Sequence, residues 1–171
     1  STPAEININV PMNKIEALES KKYKEMIKMV ADRAQKDFQR IYLDPESGAR
    51  RIKTTRDEAW IKQHGTDRVD MAAFDYQDLP LDWQSEREIG AQIAADAALE
   101  AIRDGRPLDE SFIEATSELL HNKWLEKNSA RATEIEKSFY AELPENEKEK
   151  DRFFARAAVE VYEETNIGNI S

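Results

Sequence analysis

The sequence predicts an all-α protein: two repeated helix pairs about a pseudo-twofold, forming a four-helix core, with a long N-terminal helix added to it. Three observations predict this. Apolar residues recur at three- and four-residue steps along most of the chain. Capping residues, prolines and glycines stand where those stripes start and stop. One block of sequence also returns 64 residues further on. Only Ile6, Ile8 and Val10 alternate as a strand would, in a segment short enough to be a tail.

Asn13-Lys14-Ile15-Glu16 has capping-box spacing and opens the first, long helix. Tyr23, Met26, Ile27, Val30, Ala34 and Phe38 supply its single buried stripe. Asp44-Pro45-Glu46-Ser47-Gly48 ends it as a turn. Thr55-Arg56-Asp57-Glu58 is a second capping box, and Gly65 closes the short helix it begins. A third helix follows Pro80 and runs to Asp104-Gly105, with Ile89, Ile93, Ala97, Ala101 and Ile102 at helical spacing. Asp109 caps a fourth, which turns Phe112, Ala115, Leu119 and Trp124 inward. Pro144 suits the first turn of the last helix, where its missing N–H costs nothing. That helix buries Phe154, Ala157, Ala158 and Val161. The division this implies is residues 1–50 as a tail and long accessory or oligomerising helix, and residues 51–171 as a tandem repeat. Its repeats span about 53–104 and about 108–165.

Composition narrows the function classes. The 171 residues are 40% apolar and 35% charged, enough for a modest core. Residues 1–66 carry 13 Lys/Arg against 10 Asp/Glu, whereas residues 67–171 carry 12 against 25. An acidic body repels phosphates, which argues against duplex nucleic acid as a partner. The mildly basic N-terminal third reads as a solvated helix face, or as a surface for an acidic partner such as another copy of the chain. The absence of cysteine removes disulfides, thiolate metal sites and cysteine nucleophiles. No apolar run approaches the roughly 20 residues of a membrane span, so a soluble cytoplasmic protein without a membrane partner is expected. His64 and His121 are the two histidines, and H-E-x-x-H, Walker, G-x-G-x-x-G and G-x-S-x-G motifs are all missing. A noncatalytic binding protein without cofactor or metal fits that pattern better than an enzyme.

The repeat aligns residues 57–80 with residues 121–144 without a gap. Trp60 meets Trp124, Tyr76 meets Tyr140, and Leu79-Pro80 meets Leu143-Pro144. Each unit then reads as a helix bearing Trp, a connection, and Tyr-x-acid-Leu-Pro opening a second helix. Asp57, Trp60 and His64 share one face of the first unit's helix; His121, Trp124 and Lys127 or Asn128 share the matching face of the second.

His121-Asn-Lys-Trp124, followed by Tyr140-Ala-Glu-Leu-Pro-Glu-Asn-Glu-Lys-Glu-Lys-Asp-Arg152, resembles the His-x-x-Trp and Leu-Pro-x-x-Glu-Lys-x-Lys-Asp pattern of the ryanodine-receptor repeat domain. Asp75-Tyr-Gln-Asp-Leu-Pro-Leu-Asp-Trp83 is similar to the degenerate half of such domains, and the likeness covers about residues 55–165. This resemblance implies an all-helical tandem repeat with a cleft between its units, an association with adenine-nucleotide-like ligands, and a bacterial or phage setting. Carried over by position, His121 and Trp124 match the motif, with Trp60 as the repeat-related aromatic.

Two indoles facing each other across a pseudo-twofold could sandwich a purine, each stack contributing roughly 1–3 kcal/mol. Lys127, one turn beyond Trp124, and Arg131 would meet phosphates, and Gln63, the counterpart of Lys127, could read a base edge. The plain alternative makes Trp60 and Trp124 ordinary amphipathic core residues and His121 a capping or solvent-facing histidine. The expectation is therefore a sensor or sequestering protein for a nucleotide-like molecule. Its rivals are an acidic protein–protein interaction factor, with the C-terminal body as decoy for a basic surface, and an assembly subunit joined through the N-terminal helix as a homo-oligomer.

Overall fold

The computed structural model describes the backbone of residues 2–170 and the side chains of Lys14 and residues 16–165. Within these residues the chain forms helices α1 (Thr2–Leu43), α2 (Glu58–His64), α3 (Leu81–Arg103), α4 (Glu110–Asn128) and α5 (Glu145–Ile170). The strands β1 (Ile52–Thr54) and β2 (Arg68–Asp70) flank α2 and pair antiparallel, Ile52 opposite Asp70 and Thr54 opposite Arg68. The fold is thus mainly helical with a long first helix. No described helix is long and apolar enough to cross a membrane. Helix α1 is continuous from Thr2, so Asn13 lies within it rather than at its start, and Ile6, Ile8 and Val10 stand in helix rather than in an extended tail.

Helix ends follow local chemistry. Asp57 caps α2 by accepting from Trp60 N, and Gly65 ends it at φ +73°, a conformation a Cβ would oppose. The expected Thr55 cap is displaced. The Thr55 hydroxyl donates to Asp82 and accepts from Asp57 N, so it ties the α2 entry to α3 instead. Asp109 caps α4 through Phe112 N, and α5 starts one residue after Pro144.

The core lies between α1, α3, α4 and α5, not between two tidy helix pairs. Val30, Ala31, Ala34 and Phe38 of α1 are buried against both α3 and α5. The helix expected to lie outside the repeat is therefore an integral wall of the core, at least through residues 26–42. Helix α2 is too short for that position and caps a smaller cluster of Trp60, Val69, Met71 and Leu79.

The buried face of α3 also differs from the expected one. Gly90, Ala91, Ala94, Ala95, Ala98 and Ala101 face inward, while Ile89 and Ile102 are exposed. Small residues let α5 approach closely, and a Cβ on Gly90 would stand 2.8 Å from the Phe154 ring. On α4 the inward face is Phe112, Ile113, Thr116, Ser117, Leu120 and His121, with Leu119 exposed.

The repeat is visible in the backbone. One-turn 3-10 helices occupy Tyr76–Asp78 and Tyr140–Glu142, and the following Leu79 N–H and Leu143 N–H each donate to the tyrosine carbonyl. Helices α3 and α5 then start 64 residues apart. Gly90 and Phe154, also 64 apart, touch each other. Positions 64 residues apart on α3 and α5 therefore meet where these two helices pack.

Candidate functional site

A groove of about 940 Å³ opens between the first unit and the second. One side is the β1 strand and the first turns of α3; the other is α4 with the start of α5, and Phe38 and Tyr42 of α1 also line it. Its apolar surfaces include the half-buried indoles of Trp83 and Trp124, one from each unit.

The expected site residues divide. His121, Trp124, Lys127 and Arg131 line the groove; Trp60 and Gln63 do not. Trp60 is buried in the satellite cluster, with its ring stacked 3.9 Å from His64 and its indole N–H donating to Asp78 O at 3.3 Å. The small β-sheet brings Val69 and Met71 against it, so its equivalence to Trp124 in sequence does not make it a groove residue. Gln63 is exposed to solvent. Trp83 takes the place foreseen for Trp60. Its ring N–H donates to Thr54 O at 2.9 Å, which fixes the indole against the strand.

His121 is 5% exposed, and its Nε2 lies 2.8 Å from Ser138 O, so it ties α4 to the connection before α5 while touching the groove. Lys127 reaches Glu86 on α3 at 3.6 Å, bridging the two sides. Arg131 donates to Asn128 Oδ1 at 2.6 Å. Trp124 lines the groove with no indole hydrogen bond among the described residues.

The electrostatics of the groove contrast with those of the chain. Eight Lys or Arg side chains line it against five carboxylates, although the whole protein carries a net charge of -10. Lys127 pairs with Glu86 and Lys150 with Glu147, which leaves Lys53, Arg56 and Lys123 among the cations without ion pairs within the described residues. At the second unit's end, burial pushes the Asp151 carboxyl up to about 7, with Glu147 adding and Lys150 opposing. Across the joint, Arg152 donates to Glu114, Glu145 and Glu149, and it holds the Glu114 carboxyl below the usual carboxylate range.

Two groove residues escaped the sequence reading. Trp83 falls where the second unit has Glu147, so the repeat alignment gave it no aromatic partner. Arg87 was hidden because an arginine on an amphipathic helix normally faces water, and only packing puts it inside. No family model, curated protein or solved structure matches the chain. No cluster of His, Cys, Asp and Glu able to hold a metal occurs among the described residues. What the groove offers chemically is aromatic faces beside cations, an arrangement suited to binding a flat anionic molecule.

Proposed function

We propose that this chain is a noncatalytic α-helical module that binds a nucleotide-like small molecule in the groove between its two units, as a sensor or a sequestering protein. The observation that carries the reading is the pairing of Trp83 and Trp124 in one cation-rich groove of an otherwise acidic protein. A purine stacked on indole faces gains about 1–3 kcal/mol per contact, and the surplus of lysine and arginine suits its phosphate. A volume of about 940 Å³ is ample for a mononucleotide or a cyclic dinucleotide. The resemblance to the ryanodine-receptor repeat domain gives adenine nucleotides priority among the candidates.

Calorimetric titration with mono-, di- and cyclic nucleotides tests the proposal. Saturable heat at tens of micromolar protein is expected for at least one adenine compound, and the Trp83→Ala/Trp124→Ala double variant weakens it by roughly tenfold or more. An unresponsive protein, or a double variant that binds as the parent does, overturns the reading.

A further inference from the structure

Arg87 is the most unusual charge in the groove. It sits on α3 one turn after Trp83, lines the groove, and is 7% exposed. Its Nε–H donates to Gln35 Oε1 at 2.8 Å, and its guanidinium carbon lies 3.9 Å above the centroid of the Phe38 ring. Gln35 is itself fixed, because its amide donates to the carbonyls of Met71 and Phe74. The Arg87 Nη2 is buried with no hydrogen-bond partner, and Arg87 makes no ion pair among the described residues.

A buried guanidinium without a counterion is costly, and partnerless buried donors are rare in native structures. Here the plane of the fork is held by an aromatic ring on one face and a glutamine at Nε, while the Nη edge is left without a carboxylate. Arginine remains charged even when burial pushes its pKa down, as it does here against the influence of Tyr42 and Glu86. The position equivalent to Arg87 in the second unit is Asp151, also in the groove, yet the two do not pair. The fold thus brings both an acid and a base to the cleft and leaves the base unneutralised.

We infer that Arg87 is the anion seat of the groove, where its preorganised fork receives the phosphoryl group of a nucleoside phosphate. The inference rests on the proposed nucleotide reading and deepens it by assigning the phosphate to a residue that reading had not used. The spacing suits it. Trp83 and Arg87 share a face of α3 about 6 Å apart along the axis, so a base on the indole can extend its phosphate toward the guanidinium. Lys53 and Arg56, on either side of Thr54 whose carbonyl anchors Trp83, also line the groove without ion pairs among the described residues, opposite in charge to Asp82 and Glu86 on the first turns of α3.

The experiment compares AMP, adenosine and pyrophosphate at constant ionic strength with the full chain, Arg87→Met and Arg87→Lys. Two readouts are followed: heat of binding, and the NMR resonance of the Arg87 Nε–H, which its bond to Gln35 protects. The expected result is that AMP binds about tenfold or more tightly than adenosine, that Arg87→Met erases the difference, and that Arg87→Lys keeps part of it. Pyrophosphate shifts the Arg87 resonance of the unmodified protein, and this arm decides the matter if Arg87→Met does not fold. AMP binding that is equal in parent and Arg87→Met, with an unmoved resonance, overturns the anion seat and leaves the nucleotide reading standing. A resonance shifted by pyrophosphate without heat from AMP or adenosine keeps the seat and removes the nucleotide. Silence in every arm overturns both.

Discussion

The two units share a joint and put it to different uses. In the first, the tryptophan before the joint is enclosed by a small sheet and stacked on a histidine, and its N–H is satisfied by a carbonyl. In the second, the equivalent tryptophan has no sheet over it and faces the groove. The tyrosines differ as well: Tyr76 donates to Glu88 on its own following helix, and Tyr140 donates to Glu114 on the preceding helix, beside Arg152. Equivalent residues therefore need not have equivalent duties. What surrounds a tryptophan, rather than its motif, decides whether it stabilises the protein or meets a ligand.

The strongest way to break that contrast is to truncate both indoles separately. Trp60→Ala should cost about 3–5 kcal/mol in urea unfolding, as expected for deleting a buried aromatic. The molecules that remain folded should bind the calorimetric ligand normally. Trp124→Ala should do the reverse, with a stability loss of about 1 kcal/mol and a loss of binding. A Trp60→Ala protein of parental stability would show that the satellite cluster contributes little.

Next in size is the contact between α3 and α5. Gly90→Ala drives a methyl group into Phe154 and should cost about 1–3 kcal/mol, by overpacking. Adding Phe154→Leu should restore part of that loss, because the two positions are in contact and their effects will not add. Full additivity would mean that α3 and α5 adjust independently.

The acid of the second unit predicts a pH signature. The Asp151 carboxyl titrates near 7 in the folded protein and near 4 when unfolded, so the folded state binds more protons between those values. Stability should therefore fall as pH rises from about 4 to about 7, by up to about ten degrees in Tm. Asp151→Asn should flatten that segment of the curve and raise Tm at pH 8. An unchanged slope would show that burial does not keep the Asp151 carboxyl protonated as described.

The smallest effects should come from the tyrosines. Tyr76→Phe removes the hydroxyl partner of Glu88 and should cost about 1 kcal/mol. Tyr140→Phe should cost less, since Glu114 keeps both bonds from Arg152. Burial holds the Tyr140 hydroxyl up to about 12 and raises that of Tyr76 as well, so neither hydroxyl should ionise below pH 9.

Helix limits were legible wherever local chemistry sets them. Asp109, Gly65, Gly105 and Pro80 satisfy or interrupt the backbone regardless of what lies beyond it. Facing directions were less legible. The inward stripe of α3 is glycine and alanine; the expected stripe found Ala101, with Ile93 and Ala97 at the core's edge, but put Ile89 and Ile102 inside, where they are exposed. The role of α1 was missed because its stripe shows that it is covered, not by what. In the groove, Trp124, His121, Lys127 and Arg131 followed from the motif and its helical spacing. Trp83 and Arg87 did not, because their placement depends on Thr54 and Gln35, residues distant in sequence.

The burial of α1 constrains how the chain can be made. Its Arg33 bonds to Glu164 across 131 residues, and its apolar stripe rests on α3 and α5. Helix α1 thus leaves the ribosome well before α3 and α5 and lacks its covering surfaces until they have followed. Contacts of that separation slow folding and leave apolar surface open meanwhile. Synthesis halted before α5 should yield a sticky, protease-sensitive intermediate rather than a smaller working module.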